Sequence, residues 1–282
     1  MRVAMKVAVV VLPLFALVLL LRACDTGSGD RWLDRARAVD PDAQLGISRP
    51  ELVSIAPSEG LAVEAGEFAL AFRDALVAQY GPLFGEISDQ KMVVLIFSRD
   101  GMVQEFAGRD EVLDRKSMED VLGYTDPMRN LIVLPPESDF VTLRHEMVHL
   151  QMKMALGLQS RFSPWLSEGL AQYFESFEPP EPVRIAPETR ARWGRKLGAD
   201  PIDVMRLLTM QDYRRFLQQD GQRNYFESLV LTAYLMESYP LERMVAYLEF
   251  ERRGGGDRVA AFRAIFEDPA GTATRIGEYL RQ

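Results

Sequence analysis

Hydrophobic residues along this chain recur in two rhythms, and the switches between them mark its elements. Met92 to Phe97 is an unbroken apolar run rich in Val. A run that short reads as a strand buried on both faces. Val121 to Tyr124 and Leu131 to Leu134 read as two further short strands, separated by a turn through Asp126-Pro127 and Asn130. Elsewhere the period is helical. Between Pro57 and Gln79, Phe68, Phe72, Ala75 and Leu76 recur near every third or fourth position, and Gly81-Pro82 reads as the stop. Arg31 to Val39 and Asp100 to Ala107 read as short helical pieces, and Pro41 to Pro50 as linker.

Two helices stand out. The first runs from Ser138, an N-cap residue, to Leu156 before Gly157. It is apolar on two sides: Val141, Val148, Met152 and Leu156 on one, Leu143, Met147, Leu150 and Met154 on the other. A helix of that kind is buried between layers. The second begins at Ser163-Pro164, a cap followed by proline at the first helical position. Leu166, Leu170, Tyr173, Phe174 and Phe177 form its core stripe; Glu168, Gln172 and Glu175 lie opposite, where Glu175 reads as solvated. After Pro179-Pro180 the pattern predicts helices over 187–197, 201–208, 212–218, 225–238, 241–251, 257–266 and 271–280, separated by proline and glycine.

The first of the two helices holds both histidines of the 282 residues, in His145-Glu146-Met147-Val148-His149. Spacing of four stacks them on one face, about one turn apart, where both can hold one zinc ion. Glu146 lies roughly 100° round the helix, placed to reach a water on the metal without ligating it. Glu168, nineteen positions after His149, supplies a third ligand from the next helix. Burying two imidazoles and a carboxylate without partners is costly, and a cation satisfies all of them. Two unremarkable histidines on an amphipathic helix are the plain alternative, and the scarcity of histidine argues against it. Gly169 and Ala171 are small enough for the second helix to approach the first closely. Gln172, one turn beyond Glu168, is placed to hydrogen-bond a ligand imidazole.

His-Glu-x-x-His, eighteen intervening residues, then Glu168-Gly169-Leu170-Ala171-Gln172-Tyr173 resembles the gluzincin group of zinc metallopeptidases. More closely, it is similar to the small bacterial peptidase MA-like proteins. Gly123 to Pro127, Asn130 to Leu134 and the later Tyr225 to Val230 share in the likeness, which runs from about residue 90 to about 270. The resemblance implies an α+β, zincin-like fold: a small mixed β-sheet packed on the metal helix, then a mostly helical C-terminal part. It implies one Zn2+ per chain held by His145, His149 and Glu168, with Glu146 as general base. Tyr225 corresponds to a catalytic tyrosine of larger gluzincins that steadies the oxyanion, although a tyrosine there is often only packing; Tyr213 and Tyr234 compete for the role. Some gluzincins carry a carboxylate where Gln172 stands. The strand Asn130 to Leu134 would offer an edge to an extended peptide.

Composition narrows the setting. At 48% hydrophobic the chain can build a core. Net charge is −8, with no clustered basic run, which argues against a nucleic-acid partner. Arg2 and Lys6 precede an uncharged run from Val7 to Leu21, a secretory leader pattern. Leu21-Arg22-Ala23-Cys24 resembles a bacterial lipoprotein signal, and Asp25 resembles the inner-membrane retention signal. Cys24 is the only cysteine, so it forms no internal disulfide. It is either lipidated or the end of an uncleaved anchor. Removing Arg2, Lys6 and Arg22 with the leader takes 33 basic residues to 30 against 41 acidic ones, a net −11.

The expected organisation is leader or anchor over 1–24, linker over 25–50, a zincin-like catalytic part over 51–178 and a helical part completing the cleft over 179–282. The expected function is a zinc metallopeptidase tethered to the bacterial inner membrane, facing the periplasm and acting on envelope peptides or proteins. The alternative is a non-catalytic envelope lipoprotein, a scaffold or binding module, with a structural or vestigial zinc site.

Overall fold

A computed structural model describes residues 29–85, 91–109, 123–136, 140–157, 162–198 and 200–282. The leader, Cys24, Asp25, Val121 and Ser138 lie outside the described residues. The protein is mixed α+β, with one five-stranded sheet in its N-terminal part and helices mostly in its C-terminal part. The chain divides into two compact units, one of residues up to Leu70 and from Ser88 to Leu143, the other of Ala71–Ile87 and Arg144–Gln282.

The first unit is built on the sheet, in the order β1-β2-β3-β5-β4. These strands are β1 (Gln44–Ser48), β2 (Leu52–Ala56), β3 (Met92–Ile96), β4 (Tyr124–Asp126) and β5 (Leu131–Leu134). β2, β3 and β5 run parallel, with Val53 opposite Val93 and Val93 opposite Leu131. They are buried at every position, as continuous apolar strands between two layers should be. One face carries Val53, Ile55, Val93, Leu95, Leu131 and Val133 against α1 (Gly29–Arg37) and α3 (Met102–Arg109), through Trp32, Ala36, Val103 and Phe106. On the other face lies the first half of α2 (Glu59–Phe84). A methyl at Gly66 would meet the Ser54 side chain at 2.6 Å, so only glycine permits that approach.

Two expectations change here. Residues 25–50 are no linker through the described part, because α1 buries Trp32 and Ala36 and β1 pairs antiparallel with β2. The buried Asp40 fastens this segment by accepting hydrogen bonds from the Ser98 N–H (2.7 Å) and hydroxyl (2.9 Å). The chain passes from one unit to the other at residues 70/71, 87/88 and 143/144. Moreover, Leu131–Leu134 has no free edge: it is hydrogen-bonded to β3 on one side and to β4 on the other. The edge strand on that side is Tyr124–Asp126, which overlaps the strand expected over 121–124 at Tyr124 and runs on through Asp126.

The second unit is helical. α4 (Phe140–Leu156) enters it at Arg144, and α5 (Pro164–Phe174) follows. Next come α6 (Pro187–Leu197), α7 (Val204–Thr209), α8 (Tyr213–Gln218), α9 (Gly221–Ser238), α10 (Leu241–Arg252), α11 (Arg258–Ile265) and α12 (Pro269–Tyr279). The second half of α2 belongs to this unit. Gly81-Pro82 does not end it; the backbone leaves helical angles at Tyr80 and resumes to Phe84. There Tyr80 and Phe84 meet Phe174 edge-on at 4.7 and 5.2 Å, and the Phe84 carbonyl accepts from Gln151 on α4.

α5 is the axis of this unit. Pro164, Trp165, Leu166, Leu170, Ala171, Tyr173 and Phe174 are all buried. Ser163 takes the extended N-cap conformation without capping the helix. Instead its N–H and hydroxyl donate to the buried carboxylate of Glu251 at 3.0 Å each, and Arg258 pairs with the same carboxylate at 2.8 Å. Removing one partner of such a buried pair costs about 3–5 kcal/mol. Gly169 faces α9 and not α4, which corrects the expected use of its small size: a methyl there would stand 2.6 Å from the Ser228 carbonyl oxygen. Val141 is also more open than its stripe suggested, at 39% exposed. Among the described residues no helix is long and apolar enough to cross a membrane.

The α5–α9 contact leaves no space for a side chain. Gly169→Ala should therefore destabilise the protein by about 1–3 kcal/mol through overpacking, read as a lower urea midpoint with an unchanged slope.

Candidate metal centre

Helical geometry brings His145 and His149 together. One turn apart on α4, their rings lie 4.7 Å apart at 76°, with the two Nε2 atoms at 3.1 Å. From α5, Glu168 reaches both: Oε2 is 3.3 Å from His145 Nε2, and Oε1 is 3.4 Å from His149 Nε2. Glu168 is 2% exposed. Glu168 approaches the two Nε2 atoms with different oxygens, and one ligand atom from each of the three residues lies within 4.8 Å of the others. Atoms about 2.1 Å from a tetrahedral centre are separated by about 3.4 Å, so the two Nε2 atoms at 3.1 Å stand near the spacing of neighbouring zinc ligands. Two imidazoles and one carboxylate also form a donor set that zinc accepts. The residues therefore fit the ion.

The outward nitrogens of both rings have partners. His145 Nδ1 is 2.7 Å from Glu175 Oε1, and His149 Nδ1 is 3.1 Å from Ser167 Oγ. With each Nε2 left as an acceptor for a cation, each Nδ1 carries the hydrogen and donates it. The earlier residue of α5 meets the later histidine, so the helices run past each other in opposite directions. Glu175 also closes α5 as its C-cap, and its carbonyl accepts from Arg144 Nη1 at 2.7 Å.

This arrangement corrects two readings. Gln172 does not hold either ligand ring, since Glu175 and Ser167 do. Glu175 is not a solvated surface residue. It stands seven positions, two turns, beyond Glu168 and so shares its face; that spacing was the available signal. Ser167 carried no signal beyond adjacency to Glu168.

The phenols divide by position. Tyr213 on α8 donates a hydrogen bond from its hydroxyl to Glu168 Oε1. Tyr225 on α9 lies 3.3 Å, hydroxyl to hydroxyl, from Tyr213. The fully buried Phe216 packs against both rings, at 5.9 and 5.2 Å. Tyr234 belongs elsewhere, because its hydroxyl donates to Glu267.

Charge follows geometry. Burial works against a charged His145, but hydrogen bonds to Glu168 and Glu175 outweigh it and push its pKa up to about 10. Burial likewise opposes the Glu168 carboxylate, yet the charge on His149 and hydrogen bonds from His145 and His149 hold it well below the usual carboxylate range. Glu146 is pushed up, mainly by desolvation, against the pull of the imidazoles. Burial, then the Glu168 charge, raises Tyr225 to about 12, which keeps it a proton donor at neutral pH.

These shifts have a sign. His145 rises from 6.5, so its contribution to stability is complete below pH 6.5 and lost as pH climbs through about 10. Glu168 falls from 4.5, so its contribution is present above pH 4.5 and lost on acidification. Protein stripped of metal by a chelator should therefore melt highest near pH 4.5–6.5 and progressively lower toward pH 10. Glu168→Gln should flatten both limbs in thermal melts across that range.

A family model described as a protein of unknown function (DUF1570) matches residues 139–254, a span containing α4, α5, Tyr213 and Tyr225. No curated protein matches the chain. The chain is thus similar, over this span, to a family with no activity assigned, and the chemistry of the site rests on its own geometry.

Proposed function

We propose that the protein is a zinc metallopeptidase of gluzincin type. One observation carries this reading: His145, His149 and Glu168 bring one ligand atom each to within 4.8 Å of one another, with Glu146 beside the first histidine. A closed structural zinc site has four protein ligands, whereas a catalytic one has three and an open position. Among the described residues, His145, His149 and Glu168 form the group suited to a metal ion. The general base next to His145 favours hydrolysis over a purely structural site.

His145, His149 and Glu168 would hold the ion, which when bound supplies Lewis-acid activation of a water and of a scissile carbonyl. The residues of the chain do the rest. Glu175 and Ser167 hold the ligand rings by Nδ1, fixing tautomer and direction. Glu146 takes the proton of the attacking water, and its raised pKa suits it to pass that proton to the leaving amine. Tyr225, kept protonated, offers its hydroxyl hydrogen to the oxygen of the carbonyl as negative charge grows there. The N-terminal leader pattern and Cys24 support export and a membrane tether, and so an envelope peptide or protein as substrate.

The test is hydrolysis of a quenched-fluorescence peptide library by chain lacking the leader, with and without chelator, alongside zinc content. Glu146→Gln should retain zinc and lose at least about 100-fold in kcat/KM. Undiminished hydrolysis in that variant overturns the reading. Tyr225→Phe should lose roughly 100-fold in kcat while KM changes little, because the donor acts on charge that develops only in the transition state.

A further inference from the structure

Resting on the metal reading above, the geometry points to Tyr213 as a positioning residue for the metal ligand Glu168, held in place by a clamp on α8. The two phenols near the site are not equivalent. The hydroxyl hydrogen of Tyr213 is committed to Glu168 Oε1, the oxygen that faces His149 Nε2 at 3.4 Å. A phenol has one hydrogen to give, so Tyr213 is spoken for. Its oxygen accepts from Tyr225, whose hydrogen is thus held by another phenol and not by a carboxylate. An ionised carboxylate offers about four lone-pair sites, so the bond from Tyr213 leaves room for a cation on the same group. That bond fixes which way the carboxylate plane faces.

The hold on Tyr213 comes from behind. Asp212 caps α8 by accepting from the Arg215 N–H at 3.1 Å. At the other end the buried Asn224 of α9 donates through Nδ2 to the carbonyls of Phe216 (2.5 Å) and Gln219 (2.7 Å). These are carbonyls that a short helix otherwise leaves unsatisfied. Asn224 Oδ1 in turn accepts from Arg206 of α7, whose other nitrogen pairs at 2.6 Å with the fully buried Glu227. Arg223 adds a second cation to Glu227 at 2.7 Å. A six-residue helix with one face to solvent thus acquires a fixed position. Tyr213 and Leu217, one turn apart, are 44% and 45% exposed, so the ring needs the clamp and Phe216 to keep its hydroxyl on Glu168.

The test separates this claim from the reading beneath it. Zinc affinity is measured without substrate, by competition with a chromophoric chelator, for the wild-type chain and for Tyr213→Phe, Tyr225→Phe and Leu217→Ser. Tyr213→Phe should bind zinc about 10–100-fold more weakly. Its cobalt-substituted visible spectrum should shift because the carboxylate donor has moved. Tyr225→Phe and Leu217→Ser should keep wild-type zinc affinity and cobalt spectrum; the second perturbs the same helix without touching the hydroxyl. Wild-type affinity and spectrum in Tyr213→Phe overturn the positioning role while leaving the metal site standing. Equal weakening in Leu217→Ser also overturns it, since the effect would then belong to the helix and not the hydroxyl. A wild-type chain that binds no zinc overturns both.

Discussion

The convergence of three electron-rich atoms on one point is the constraint from which the helical unit takes its form. Two imidazole nitrogens 3.1 Å apart, each within 3.4 Å of an oxygen of one carboxylate, repel unless something positive lies among them. A proton can serve in part, which is why His145 holds one so firmly. A divalent cation serves all three atoms at once, with lone pairs already aimed. Each group gives up water to be there, so their joint burial needs a compensating positive charge.

Holding that convergence requires α4 and α5 to keep one separation and one rotation. Glu175 does much of this by joining them twice, through its carboxylate to His145 and through its carbonyl to Arg144. Behind α5 the chain allows no slack. Gly169 lets α9 come against it, and Ser163 binds its start to the Glu251–Arg258 pair on α10 and α11. The rigid partners lie on the side away from the histidines, so the ligand face is positioned by packing that never touches it. Sites of this kind need ring and carboxylate orientation held to a fraction of an ångström.

What the sequence disclosed and what it withheld follow from range. His145, His149 and Glu168 were legible because two are set by helix spacing and the third by its distance from His149 and the Gly169 to Tyr173 run that follows it. Helices with proline or capping residues at their starts, such as Pro187–Leu197, were legible for local reasons. β1 and β2 were not. Ser54 breaks the apolar run of Leu52–Ala56, and Gln44–Ser48 contains a glycine and a register shift where it meets its neighbour. Both exist because a sheet built elsewhere accepts them. Tyr213 was named only as a competitor of Tyr225, since nothing local places its hydroxyl on Glu168; that placement depends on Asn224 eleven positions later.

The two tyrosines illustrate a wider point about polar groups near a metal ligand. Identical side chains joined by one hydrogen bond acquire different duties according to where their single hydrogens go. Tyr213 stands against a carboxylate whose charge the imidazoles preserve, so its hydrogen has an acceptor that does not change during a reaction. Tyr225 stands one step further out, where its hydroxyl meets that of Tyr213, and a neutral phenol oxygen is a weaker acceptor than a carboxylate. The stronger acceptor fixes the first residue, and the weaker one leaves the second able to move. Packing then turns this difference into geometry, because Phe216 spaces both rings and Asn224 binds the helix of one to the helix of the other.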